Sequence, residues 1–140
     1  MIKAAQAGHA LVFASERALS RARDQRVREY AGRMVKQQTL DNAEIRKLAR
    51  AKGVVLPLEP SGLQRSKLRL LDKAHGAAYD LRYIDDFGIA ANQLAIRQFK
   101  AELDRGGDAD VKALAGQLLP ALQQHMQEAQ SLRAALGEQA

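Results

Sequence analysis

The chain has no cysteine and no tryptophan, and only three prolines and six aromatic residues among its 140. Without cysteine there can be no disulfide, no thiolate metal ligand and no cysteine nucleophile, and the redox compartment is left open. With so few aromatics the core must be built another way. Twenty-six residues are alanine, and faces of small side chains let helices approach closely. No apolar run nears the roughly 20 residues that span a bilayer. Glu-x-x-His, the motif that di-iron bundles place on two helices, is also missing. The length is that of one ordinary domain with a real core.

Charge is present in quantity and unevenly placed. The net charge is +6, but residues 1–70 hold 15 Lys/Arg against 6 Asp/Glu, a net of +9, while residues 71–140 hold 7 against 10, a net of −3. The two halves should attract each other. The start, Met1-Ile2-Lys3 followed by an alanine-rich run to Ala14, faintly resembles a signal peptide. Gln6 and His9 interrupt that run, however, and the helical pattern continues through Glu16 and Arg17 to Ala22, so the segment reads as mature structure.

Hydrophobic periodicity predicts four main helices at about 2–22, 25–52, 78–105 and 109–136, with a short helix at about 62–75. In the first, Ala4, Ala5, Gly8, Leu11, Val12, Ser15 and Leu19 share a face, and His9 and Glu16 form a polar pair at its edge. Asp24 is placed to cap the second, whose stripe of Val27, Ala31, Met34, Ile45 and Leu48 is interrupted by Gln38 and Asp41. Ser61-Gly62-Leu63-Gln64 is a capping-box pattern, and His75 is expected in the last turn of the short helix, at the favourable end of its dipole. The third main helix carries the widest apolar arc: Leu81, Ile84, Phe87, Gly88, Ala91, Leu94, Ala95, Phe99 and Leu103. Gly106-Gly107-Asp108 breaks the chain and caps the last helix. There Leu114, Leu118, Leu122, Ala129, Leu132 and Leu136 form the stripe, with His125 in its middle and Pro120 expected to bend an otherwise continuous helix.

Four long helices with one connector of about 25 residues predict an all-α fold, a ferritin-like four-helix bundle whose long crossover holds the short extra helix. In that arrangement Asp80, Asp85 and Asp86 would lie near the basic patch of Arg21, Arg23, Arg26 and Arg28. Gln38, Asn92 and His125 each fall near mid-length on an inner face, so with Asp41 they are candidates for one central polar layer. One imidazole, two neutral amides and one carboxylate make a poor metal shell, and a structural hydrogen-bonded cluster is the plainer expectation.

Several segments together resemble a bacterial family. They are Gly8-His9-Ala10, Arg33-Met34-Val35, Lys52-Gly53-Val54-Val55-Leu56-Pro57, Tyr79-Asp80-Leu81-Arg82-Tyr83, Phe87-Gly88-Ile89, and Leu119-Pro120 followed by His125. In order and spacing, over nearly the whole chain, they are similar to the "domain of unknown function forty-one forty-two", whose members are often labelled outer-membrane proteins. The resemblance implies a ferritin-like bundle, usually exported, with no settled activity. It also implies departures. Family members commonly have an acidic residue in place of Leu11, an Asp-His pair in place of Gln37-Gln38 and a histidine in place of Asn92, so only His125 of that histidine set remains.

Three functions follow as expectations. The first is a non-enzymatic bundle with a structural or interaction role in the periplasm or cell envelope, without cofactor or bound metal, acting on an unidentified protein partner; the cytoplasm is the alternative compartment. No serine or carboxylate pair stands in catalytic register with His125. The second is a metal- or small-ligand-binding bundle with a degenerate site, using His125 with Asp41 or His9 with Glu16. The third is polyanion binding through the arginine-rich end. Nucleic acid is disfavoured as a partner, because aromatics for base stacking are not interleaved with the arginines. A homo-oligomer is left open.

Overall fold

Every regular element is helical. The structure, a computed structural model, describes residues 1–139, with side chains described to residue 137. In chain order come α1 (Ile2–Arg21), α2 (Gln25–Ala51), α3 (Gly62–Lys73), α4 (Gly76–Tyr83), a π-helical segment (Ile84–Ala90), α5 (Ala91–Arg105) and α6 (Ala109–Gln139). Among the described residues there is no strand, and no helix is long and apolar enough to cross a membrane.

Local chemistry sets the ends of these helices. Asp24 accepts from the Arg26 backbone N–H, opening α2. Ser61 Oγ accepts from the Gln64 N–H while the Gln64 side chain accepts from the Ser61 N–H, the reciprocal capping box that opens α3. Asp108 Oδ1 accepts from the N–H groups of Asp110 and Val111 at the start of α6. Gly53, at φ +69, lets the chain leave α2 in the left-handed region. One expected boundary moves. α3 ends at Lys73, and His75 is the N-cap position of α4 rather than the last turn of α3, because the backbone is extended at Ala74 and turns at Gly76, φ +60.

Contacts fix the directions of the long runs. Gly8 of α1 lies against Gln38 and Asn42 of α2, so these two helices are antiparallel around the turn at 22–24. Ser15 meets Tyr83 and the backbone of 23–24 meets Asp80, so α1 is also antiparallel to 76–105. Lys52 pairs with Asp108 and Asp110 at one end of α6, and Arg33 with Glu128 farther along it, which makes α2 and α6 antiparallel. Asp85 pairs with Arg133 and Leu103 touches the Gly116 position, so 76–105 and α6 are antiparallel too. The connector 52–61 and α3 therefore return the chain along the length of the molecule.

The dense core occupies one half. Tyr30, Tyr79, Tyr83, Phe87, Met34, Leu71, Ile84 and Val27 pack with the alanines at 10, 14 and 18 of α1. The inner face of α1 keeps the expected Ala5, Gly8, Leu11 and Ser15 and extends to Ala10, Ala14 and Ala18, while Leu19, expected inside, is 43% exposed. Ala10, Ala14 and Ala18 share one buried cluster with Tyr79 and Tyr83 of 76–105. The Ser15 and Tyr83 hydroxyls close this contact at 2.7 Å.

The third long run departs from its expected phase, and the π-helical segment is the cause. An i→i+5 turn takes one residue more than an α-turn, so the inner face shifts along the sequence. Tyr79, Asp80 and Tyr83 are buried before it and Asn92 and Ile96 after it. Leu81 is only half-buried and Leu94 is 42% exposed. In α6 the expected stripe keeps its phase through Pro120: Ala115, Leu118, Leu122, Ala129 and Leu136 are buried.

Candidate functional site

α1, α2, the third run and α6 enclose a small central cavity of about 40 Å³, walled by Gly8, Leu11, Gln38, Asp41, Asn92 and Leu122 among others. Three of the four expected layer residues therefore meet. Each polar group finds a local partner. Gln37 Nε2 donates to Asp41 Oδ1 at 3.0 Å, Gln38 Nε2 donates to Asn42 Oδ1 at 2.8 Å, and Asn92 Nδ2 donates to Gly88 O at 2.7 Å. That last bond covers a carbonyl of the widened π-helical segment. Gly8 leaves room for this pair, since a Cβ there would meet the Asn42 amide oxygen and force that side chain to move.

His125 is placed differently from the expectation. It is half-buried and is not part of the cavity wall; Leu122 and Ala129, one turn to either side, take the buried positions. Its backbone oxygen accepts from Tyr30 Oη at 3.4 Å. Burial pushes its imidazole below the ordinary 6.5, and nearby Arg33 acts in the same direction, whereas Glu128 and Asp41 oppose it. Burial likewise pushes the Asp41 carboxyl up, with the Gln37 hydrogen bond and the His125 charge pulling back and Glu44 adding to the rise. Tyr30, almost fully desolvated and facing Glu128, has its hydroxyl pushed far up.

The other expected pairs come apart. His9 Nε2 donates to Pro57 O at 3.1 Å, tying the connector to α1, while Glu16 is exposed and forms no pair with it. His9 sits at the α1–connector seam, and the spacing that suggested Glu16 points that residue to water.

The basic end is largely committed to holding turns. Arg21 pairs with Asp72 at 3.2 Å, donates to the backbone oxygens of Asp72 and Ala74, and lies 4.7 Å above the Tyr79 ring. Arg26 pairs with Asp24, whose carboxyl is held down to about 2 mainly by that hydrogen bond. Arg28 donates to Ala22 O and Arg23 O. Of the three acids expected here only Asp80 arrives, and it binds backbone: its two oxygens accept from the N–H groups of Arg23 and Asp24 at 2.8 and 2.7 Å. Asp85 pairs instead with Arg133 of α6, and Asp86 with Arg82 one turn earlier on its own run.

Sequence reasoning missed Tyr30, Ser15 and Tyr83 as polar contacts of the interior. A buried tyrosine that seeks a partner for its hydroxyl is the signal that was available. Tyr79 is the exception, since its buried hydroxyl has no partner.

The chain is thus an all-helical protein whose central polar side chains bond to neighbouring side chains and backbone carbonyls, with the Tyr79 hydroxyl left over. Among the described residues no group of three or more histidine, aspartate or glutamate side chains converges as a metal site would require. The chain belongs to the family described as Domain of unknown function (DUF4142), which it matches over residues 1–132. No curated protein and no solved structure matches it.

Proposed function

We propose that the protein is a non-enzymatic helical bundle with a structural or protein-interaction role in the bacterial cell envelope. Its four long runs, two antiparallel hairpins joined by one long crossover, have the connection of a ferritin-like four-helix bundle. The observation that carries this reading is the self-satisfied central layer: Asp41, Gln38 and Asn92 are each engaged by a neighbour on the same helical run. The space left, about 40 Å³, is on the scale of the roughly 30 Å³ a water occupies in the liquid. A substrate needs far more. The envelope assignment rests on the family resemblance, with the cytoplasm as its alternative. Cell fractionation with an antibody against the native protein tests the compartment. A screen of hydrolytic and redox substrates tests the chemistry: turnover that disappears in His125→Ala overturns the non-enzymatic reading.

The degenerate-site reading keeps one supporting observation, the mutual electrostatic influence of Asp41 and His125. Stoichiometric metal in untagged protein would favour it. Polyanion binding has less support, because Arg21, Arg26 and Arg28 are engaged within the fold. Steeply salt-dependent gel-shift binding lost on substituting these arginines would revive it.

A further inference from the structure

The end of the molecule opposite the tyrosine-rich core is open. There the start of α1, the end of α2, the end of α5 and the start of α6 surround a cavity of about 710 Å³, within the few-hundred to thousand Å³ range of small-molecule sites. Its floor is the buried Ile45, Ala115 and Leu118, and its walls are the half-buried Leu48, Phe99 and Leu114. Ile45, Phe99 and Leu118 also wall the central polar cavity, so they screen this larger space from Asp41 and Asn92. The interior is lined mainly by hydrocarbon, with the half-buried Gln98 as the amide it shares with the central cavity.

The mouth is charged. Lys3 and Arg105 are exposed and line it, and neither has an ion-pair partner among the described residues. The neighbouring cation, Lys52, is held between Asp108 and Asp110. The one carboxylate lining the mouth, Glu102, is folded back against Gly106, where a Cβ would collide with it. Two uncommitted cations therefore stand above an apolar well.

We propose that this cavity binds one single-chain anionic amphiphile, with its hydrocarbon tail on the Ile45–Leu118 floor and its acidic head between Lys3 and Arg105. The proposal goes beyond the structural role given above and does not depend on it.

Calorimetric titration of the full chain with alkyl carboxylates, below their micellar concentrations, tests it. One molecule should bind per chain, tightening about fourfold for each added methylene until the well is full and levelling thereafter. Dodecyl phosphate should bind as well, and whichever head binds more tightly separates a fatty acid from a lysophospholipid as the source. Dodecyltrimethylammonium should bind at least about tenfold more weakly, as should the anions to Lys3→Glu/Arg105→Glu, since a charged hydrogen bond is lost. Leu118→Trp should fill the floor and abolish binding; if that variant fails to fold, Leu114→Trp on the wall makes the same test, with circular dichroism confirming the helix content. Equal binding of the cation, unsaturable binding without chain-length dependence, or unchanged affinity in the double charge reversal overturns the proposal. So does sedimentation showing a dimer that dissociates in Leu114→Trp, which would assign the cavity to a second copy.

Discussion

Removing the Asp80 carboxylate should unfasten the turn between α1 and α2. Asp80 is 2% exposed and reaches from α4 to accept the backbone N–H groups of Arg23 and Asp24 at 2.8 and 2.7 Å. Both donors sit where the chain leaves α1, and nothing else among the hydrogen bonds of the described residues satisfies them. In Asp80→Ala each is orphaned, at about 1–3 kcal/mol for a buried group. The contacts are only partly buried, so water recovers some of this, and the net loss should be about 2–4 kcal/mol. Asp80→Asn keeps one acceptor but turns an amide N–H₂ toward the other donor, so it should recover little. Urea unfolding followed by circular dichroism measures both. Asp86→Ala is the control: its pair with Arg82 is long, at 3.8 Å, and its loss should cost under about 1 kcal/mol. A loss below about 1 kcal/mol in Asp80→Ala would refute the assignment of Asp80 as the clasp of this turn.

Other outcomes follow from the same geometry. Ser15→Ala leaves the fully buried Tyr83 hydroxyl without its 2.7 Å partner and should cost about 1–3 kcal/mol; in a double-mutant cycle, adding Tyr83→Phe should cost less than the sum of the single changes. Gly88→Ala places a Cβ 3.0 Å from Ala129 Cβ, so the π-helical segment and α6 must part, and thermal melting should show a loss of about 1–3 kcal/mol from overpacking. The His125 imidazole is held below its ordinary 6.5, so the unfolded chain binds that proton more tightly. Its contribution is full above pH 6.5 and is lost as the pH falls through and below that value. Urea midpoints at pH 7 and pH 5.5 should differ in that direction, and His125→Gln should reduce the difference; an unchanged difference would show that other groups carry it.

Helix content and caps were readable because they are local. Asp24 and the Ser61–Gln64 box are chosen by backbone N–H groups within three residues, and no distant contact can overrule them. Faces were less readable. A 3.6-residue period puts Leu94 inside and leaves Tyr79 and Tyr83 unassigned, because the widened turn at Ile84–Ala90 shifts the phase and only packing against α6 reveals it. Leu19 was misplaced for a different reason: the closeness permitted by Ala10, Ala14 and Ala18 depends on what the facing helix brings. The central layer was partly legible. Mid-length inner positions bring Gln38, Asp41 and Asn92 to one cavity, but seam or core for His125 is decided by a few tens of degrees of helix rotation. The open end left no sequence pattern, since its walls are ordinary stripe residues that lack a facing partner.

The central claim is that the interior polar layer is a structural hydrogen-bonded closure. Elemental analysis of untagged protein, followed by titration with zinc and iron(II) while the His125 imidazole is observed by NMR, tests it most directly. Metal should be substoichiometric, and the imidazole signal should not move. One metal per chain, with a His125 shift abolished by Asp41→Asn, would contradict it.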